Sequence, residues 1–215
     1  MNSNKKIIRR EYPRVKNFHL ENIKFVNSQN NDSLNIINLS NTGIALLQGA
    51  YPIEIIENDL VSGNLIIENE KIPVVLKLVR KNGNIFAFTF EKSKEEVSKL
   101  LKKIFDIELK ALKMYGVKKD FLIKQPDGNP FWFFDGEKNE LYYIENNSQM
   151  IRYRICLSNY IIQKNKNEKL EYYDSNYESK LNKVIIEKFI RFVYNIDGLK
   201  KEYFNLIKED LESML

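Results

Sequence analysis

The sequence predicts a mainly β fold with some α-helix: a small antiparallel β-barrel, then a helix, then a second α+β domain that ends in two helices. Six short apolar segments separated by turn residues fill the first half, without the strand–helix–strand alternation of a parallel sheet. A long amphipathic stretch follows them. The second half then alternates turn dipeptides with aromatic segments before two further amphipathic stretches.

The six segments of the first half have the length and composition of strands. The first contains an irregularity, and the others are separated by polar or Gly- and Pro-containing turns, of which Asn82-Gly83 is the clearest hairpin signal. The predicted strands are residues 18–26, 34–39, 44–47, 60–68, 72–80 and 85–90. Short antiparallel strands of this kind favour a small barrel.

A helix is predicted over residues 93–116. Ser93 and Glu96 have the spacing of a capping box, in which each side chain bonds the other residue's backbone N–H. Apolar residues then recur at helical spacing from Val97 to Leu112, and Gly116 is a suitable stop.

The second half predicts strands and then two helices. The strands are expected at residues 121–124, 131–134, 141–144, 152–157 and 170–173. Ser175, with Glu178 three residues later, is expected to begin a helix that reaches Tyr194, and a last helix covers 199–214. The sequence therefore predicts a flexible tail at 1–8, a barrel with a ligand arm and C-terminal helix at 9–112, and an α+β domain at 117–215.

Charge and cysteine content narrow the class of protein. The 215 residues carry a net charge of +5, split as +4 over residues 1–110 (17 basic, 13 acidic) and +1 over the remainder (17 basic, 16 acidic). Neither half concentrates the positive charge of a general nucleic-acid binder. With one cysteine no internal disulfide forms, and no apolar run approaches the ~20 residues of a membrane span. We expect a cytoplasmic protein.

The stretch Asn38-Leu39-Ser40-Asn41-Thr42-Gly43 is the first candidate for ligand binding. On a strand, Asn38 and Ser40 would share the outer face, while Ile37 and Leu39 would face the core. Gly43 follows where the chain turns, and its missing Cβ allows a ligand to approach the backbone closely. This pattern favours a flat, hydrogen-bonding ligand.

An arginine-rich arm precedes the first predicted strand. Arg10 and Arg14 are four residues apart, with Arg9 beside them, and Pro13 disfavours a helix. The planar guanidinium group offers a fork of donors to phosphate oxygens or to the O6/N7 edge of guanine, and it also stacks on a purine. An ordinary solvated basic tail and an ordinary polar turn are the alternative interpretation of the two motifs.

Together the two motifs resemble the PilZ domain, a family of bacterial receptors for cyclic di-GMP. The family pattern is Arg-x-x-x-Arg followed, after twenty to thirty residues, by Asp or Asn-x-Ser-x-x-Gly; here it is matched by Arg10, Arg14, Asn38, Ser40 and Gly43. The resemblance covers residues 8–108 and implies that the arginines bind guanine edges and phosphates while Asn38 and Ser40 bond a guanine. Asn in place of Asp keeps an acceptor and removes a charge.

The resemblance has two further implications. An arginine at the position of Arg9 tends in this family to accompany a stacked pair of ligands, so two cyclic di-GMP molecules per chain are expected. The ligand is also expected to order the arm and so pass a signal to an effector protein, for which the second half is the candidate contact. Arg80, at the end of a predicted strand, is an additional candidate contact.

Other chemistry has little support in the sequence. His19 is the only histidine and Cys156 the only cysteine, so neither a metal cluster nor a Cys–His nucleophile is expected. No Gly-rich phosphate loop or paired-carboxylate pattern stands out, and we expect a protein that is not an enzyme and needs no cofactor. The aromatic run 131–134 with Tyr142 and Tyr143 is interpreted as packing, or as a surface for a partner protein. The alternatives to a receptor are a ligand-free protein–protein adaptor and a single-strand nucleic-acid binder.

Overall fold

The computed structural model describes residues 13–15, 22–47, 60–176 and 180–215. The chain forms two compact units, Met1–Asp106 and Ile107–Leu215. Within the described residues the structure is mostly β with four α-helices, which confirms the predicted fold class. Each unit has its own sheet.

The first unit is a closed barrel of six antiparallel strands in the order β1-β2-β3-β6-β5-β4, with β4 paired back to β1. The strands are β1 Ile23–Asn27, β2 Ser33–Leu39, β3 Gly43–Leu47, β4 Leu60–Ile67, β5 Glu70–Asn82 and β6 Ile85–Lys92. Alternating apolar side chains of every strand fill the interior, and Phe25, Leu39 and Leu76 have no solvent-exposed surface. Closure therefore leaves no open sheet edge among the described strands of this unit.

The helical stretch after β6 differs from the prediction. It consists of two helices, α1 Lys94–Ile104 and α2 Asp106–Lys113, with Phe105 as the C-cap of the first. The predicted capping box is also wrong, because Ser93 has a φ of 65° and makes no side-chain cap hydrogen bond. The two helices belong to different cores: Leu100 and Leu101 are buried in the first unit, whereas Ala111 belongs to the apolar cluster of the second.

The second unit is a six-stranded antiparallel sheet in which the strands follow one another in chain order. They are β7 Tyr115–Gly116, β8 Asn129–Phe134, β9 Glu140–Asn146, β10 Gln149–Leu157, β11 Tyr160–Lys164 and β12 Glu171–Asp174. Helices α3 Lys183–Tyr194 and α4 Lys201–Glu212 come last, and Phe189 and Ile207 lie fully buried in the same cluster as Tyr143 and Ile155. Phe133, Tyr143 and Tyr153, which lie on the sheet face covered by this cluster, are therefore core residues.

Three secondary-structure elements of the second unit were predicted wrongly. Residues 121–124 form no strand; a 3-10 turn, Lys119–Phe121, occupies this part of the chain. Strand β11 was missed because the tight turn that joins it to β10, Ser158-Asn159, contains no glycine to signal a hairpin. The positive φ of this turn, 58°, is adopted by Ser158. Helix α3 begins after Asn182, whose side chain accepts a hydrogen bond from the backbone N–H of Ile185, rather than at Ser175.

Candidate ligand-binding face of the barrel

A β-bulge in β2 decides which side chains of the Asn-x-Ser-x-x-Gly motif face outward. The register to β3 shifts between Ile36 and Asn38. Ile36 is therefore buried and Ile37 only half-buried, which corrects the expectation that Ile37 faces the core. After the bulge Leu39 returns to the interior, and half-buried Asn38 lies on the outer face opposite Ala45 of β3.

Ser40 has a structural role that the sequence did not reveal. It is 3% exposed and lies just after the end of β2, where its hydroxyl donates to the Gly43 carbonyl and accepts from the Gly43 N–H, both at 3.2 Å. Its backbone N–H also donates to the same carbonyl at 2.9 Å. The Thr42 hydroxyl lies 3.4 Å from the same oxygen, so the Ser40 hydroxyl is fully engaged within the turn. Ser40 therefore closes the turn over residues 40–43, here named the motif turn. This corrects the expectation that Ser40 stands free on the outer face.

Gly43 is required by the barrel itself. A Cβ built on Gly43 would lie 2.2 Å from the carbonyl oxygen of Phe88 on the neighbouring strand β6. A backbone atom cannot move aside as the end of a flexible side chain does, so any larger residue must push β3 and β6 apart. The missing Cβ thus serves strand packing before it serves a ligand.

Replacement of Gly43 by alanine is accordingly expected to destabilise the ligand-free protein by about 1–3 kcal/mol, the usual cost of overpacking. Thermal unfolding followed by far-ultraviolet circular dichroism measures the effect. Gly116→Ala is the matched control, because a Cβ there meets its nearest neighbour, Phe133, at 3.7 Å, an ordinary contact. Equal stability of the two variants would contradict this role for Gly43.

The described part of the arm lies directly beside the motif. Val15 is fully buried and exchanges two backbone hydrogen bonds with Leu39, at 2.9 and 3.0 Å, in an antiparallel bridge. Antiparallel pairing makes Arg14 the cross-strand neighbour of Ser40, and alternation turns Arg14 away from the interior that Val15 faces. Arg14 is exposed. The bridge therefore brings one arginine of the arm to the outer face that carries Asn38.

Two adjacent strands give this outer face a floor of small residues. Ile44 and Leu46 of β3 and Phe86 and Phe88 of β6 point into the barrel, so the residues between and beside them face outward. These outward residues, which we call the outer platform, are Gly43, Ala45, Ala87 and Thr89. All four side chains are short; Ala45 is 4% exposed, and Gly43, Ala87 and Thr89 are half-buried.

Positive charge borders the outer platform on its β5 side. Lys77 pairs with Thr89, and exposed Arg80 pairs with Ala87. Three strand spacings, roughly 14 Å, separate Asn38 on β2 from Arg80 on β5. Residues 33–47, which form β2, β3 and the turn between them, carry no charged side chain. The face is therefore electropositive and suited to an anion.

The motif turn also contains an unsatisfied polar atom. The side-chain oxygen Oδ1 of Asn41 is buried and has no hydrogen-bond partner among the described residues. A buried acceptor without a partner is costly, and an N–H donor of a ligand would satisfy it. Nothing in the sequence separated Asn41 from an ordinary turn residue, so this candidate was missed.

The remaining candidates are only partly accounted for. Arg9, Arg10 and His19 lie outside the described residues.

Cys156 is 7% exposed; burial and the neighbouring carboxylate of Glu140 raise the pKa of its thiol to about 11, so it stays protonated at neutral pH. No group of three or more potential metal ligands occurs in the described part of the chain, and none of its helices is long and apolar enough to cross a membrane.

Comparison with known proteins gives likenesses to solved structures, two of which are described here. An uncharacterised protein of Legionella is 22% identical, and the match covers 43% of this chain and 94% of that one with a TM-score of 0.35. The PilZ domain of CeSA from a cellulose-synthesising bacterium is 13% identical, and the match covers 40% of this chain and 90% of that one with a TM-score of 0.30. No protein-family model and no curated protein matches the sequence. A six-stranded antiparallel barrel is the feature that fits a PilZ-like fold.

Proposed function

We propose that the barrel is a receptor for cyclic di-GMP and that the protein is not an enzyme. The observation that supports this most directly is the Val15–Leu39 bridge, which places Arg14 beside Asn38 and Ser40 although 23 residues lie between Arg14 and Asn38. A cyclic dinucleotide offers flat purines and two phosphates. In the proposal the purines lie on the outer platform, and the phosphates face the basic residues Lys77 and Arg80 that border it.

Each group on this face has a distinct task in the proposal. The guanidinium of Arg14 bonds a phosphate or the O6/N7 edge of a guanine. Asn38 and Asn41 bond the polar edge of a base, and the N–H donors of guanine suit the unsatisfied oxygen of Asn41. Ser40 and Gly43 hold the turn in shape. Lys77 and Arg80 attract the phosphates from the β5 side.

The three arginines of the arm lead us to propose that a second ligand molecule binds. Two stacked cyclic di-GMP molecules carry four negative phosphates, and Arg10 and Arg14 neutralise only half of that charge. Arg9 supplies a third guanidinium, which lowers the repulsion and adds a stacking plane or a donor fork. Salt is then expected to weaken binding, since much of the attraction acts between charges.

Ligand binding is proposed to order the arm and thereby change the surface that an effector protein meets, with the second unit as the candidate contact for that protein. The expected result is slower amide hydrogen exchange over residues 6–16 when cyclic di-GMP is added, except at Val15, whose N–H already donates to the Leu39 carbonyl. Residues 63–67 on β4 are the internal reference for the barrel, because their backbone is already paired with β1 and β5. Equal exchange of residues 6–16 with and without ligand would refute the ordering.

Isothermal titration of the full chain with cyclic di-GMP tests the function itself. Binding with a ratio near two, which falls towards one in Arg9→Leu, is expected. GTP and a short single-stranded oligonucleotide are the comparison ligands. Absence of cyclic di-GMP binding would refute the receptor proposal, and tighter binding of the oligonucleotide would favour a nucleic-acid binder instead. A ratio near one in the wild type would refute the stacked pair alone.

A further inference from the structure

One loop of the second unit exposes apolar side chains to an unusual degree. The side chains of Phe121 and Ile123 are 77% and 84% exposed, the highest values among the large hydrophobic residues in the described part of the chain. Both belong to residues 117–125, here named the basic loop, which leaves β7 and leads towards β8. An exposed apolar cluster is evidence of an interaction site when polar or charged residues surround it.

Hydrogen bonds hold the basic loop in this shape. Its first residue, Val117, donates to the Trp132 carbonyl at 2.7 Å, and Phe121 and Leu122 close a 3-10 turn on Lys118 and Lys119, each at 3.0 Å. The side chain of Gln125 donates to the Ile123 carbonyl at 3.1 Å. The outward direction of Phe121 and Ile123 therefore follows from an ordered backbone.

The return of the loop to the sheet is equally specific. Gln125 and Gly128 exchange two backbone hydrogen bonds of 3.3 Å. A Cβ on Gly128 would lie 2.5 Å from the carbonyl oxygen of Glu145 on β9, so this close approach requires glycine. The basic loop is thus hydrogen-bonded to β8 at its start and, at its end, to Gly128, which packs closely against β9.

Lysines surround the two protruding side chains. Lys118, Lys119 and Lys124 are exposed, and Asp120 is the one acidic residue of the loop. The ammonium group of Lys119 lies 4.6 Å from the centroid of the Phe131 ring, which keeps this charge at the base of the loop. The loop therefore combines a convex apolar tip with a net charge of +2, counted as three lysines and one aspartate.

From this combination we propose that the basic loop is a peripheral anchor for lipid surfaces that carry negative headgroups. Phe121 and Ile123 enter the boundary between headgroups and acyl chains, while the lysines contact the anionic headgroups. A bilayer accepts protruding side chains without a preformed pocket, whereas a protein partner would need a concave, complementary surface. The convex shape and the charge together favour the lipid surface. The proposal is independent of ligand binding by the barrel.

Sedimentation of the full chain with vesicles tests the anchor. The chain is expected to bind vesicles of phosphatidylglycerol and phosphatidylcholine in equal parts, and to bind pure phosphatidylcholine much less. Phe121→Ser combined with Ile123→Ser is expected to lower the partition coefficient at least about tenfold. Both side chains are exposed, so the unchanged Trp132 fluorescence of this variant should confirm that the unit is folded.

A matched pair of charge variants separates the loop from general electrostatic attraction. Lys118→Glu with Lys124→Glu is expected to weaken binding by more than tenfold, at roughly fivefold per lysine lost. Lys166→Glu with Lys169→Glu makes the same change of net charge at exposed residues of another turn and is expected to have a small effect. Equal losses in the two pairs, or no vesicle binding by the wild type, would overturn the proposal. Retained binding by the serine variant would overturn it as well.

Discussion

Replacement of Arg191 by alanine is expected to destabilise the second unit by about 3–5 kcal/mol, the usual cost of breaking a buried ion pair. Arg191 of α3 donates from Nε to Oε1 of Glu108 at 2.7 Å and from Nη2 to Oε2 at 2.8 Å. The side chain of Glu108, on α2, is only 1% exposed. Water cannot replace the lost guanidinium fully, so the carboxylate keeps much of its desolvation cost.

Urea unfolding followed by the fluorescence of Trp132 measures this effect. Trp132 is the only tryptophan and lies on β8, so its signal reports on the second unit alone. Lys183→Ala is the control: it removes an exposed ion pair with Glu187, 4.0 Å long, and should cost no more than about 1 kcal/mol. A loss below about 1 kcal/mol in Arg191→Ala would show that the buried pair contributes little.

A double variant distinguishes the pair from the packing around it. Arg191→Met with Glu108→Leu removes both charges and keeps apolar volume, and such replacements of buried ion pairs are often neutral or stabilising. We therefore expect the double variant to recover most of the stability lost in Arg191→Ala. Failure to recover it would indicate that the hydrogen bonds and the shape of the pair are needed, beyond the avoidance of an unpaired charge.

Replacement of Arg14 by alanine is expected to lower the affinity for cyclic di-GMP by roughly ten- to a hundredfold. This corresponds to the loss of a charge-assisted contact of ~1.5–3 kcal/mol. The backbone of Val15, which pairs with Leu39, is unchanged in this variant, so the arm should keep its place beside β2. The loss is therefore assigned to the guanidinium itself. Isothermal titration measures it.

Lys71→Ala is the matched control for Arg14. It removes one exposed positive charge from the same unit, six residues along β5 from Lys77, which is about 20 Å in an extended strand. An affinity within about twofold of the wild type is expected, since a Debye length near 8–10 Å screens a charge at that distance. Unchanged binding in Arg14→Ala, or equal losses in the two variants, would show that the site is placed wrongly.

Local signals in the sequence were sufficient for much of the barrel. Apolar alternation and the Asn82-Gly83 turn predicted each end of β2 to β6 to within two residues, because strand faces and two-residue turns depend on neighbouring residues only. Reliance on local signals also explains why the start of α3 was predicted at the wrong residue. Ser175 and Glu178 had the right spacing for a capping box, while Asn182, without an acidic residue in the first turn, was the cap that formed.

By itself the sequence determined a barrel and an α+β second unit, and it contained the two short motifs on which the ligand proposal rests. The tertiary structure decided how the motifs meet: the bulge before Asn38 and the bridge from Val15 to Leu39 depend on pairing between distant segments. It also brought Lys77 and Thr89 beside Gly43, and Arg191 to Glu108 across 83 positions of the chain. Strand register and buried ion pairs arise only when the barrel closes and the helices pack. No periodicity along the chain records such contacts, because they join residues that are neighbours only in the folded state.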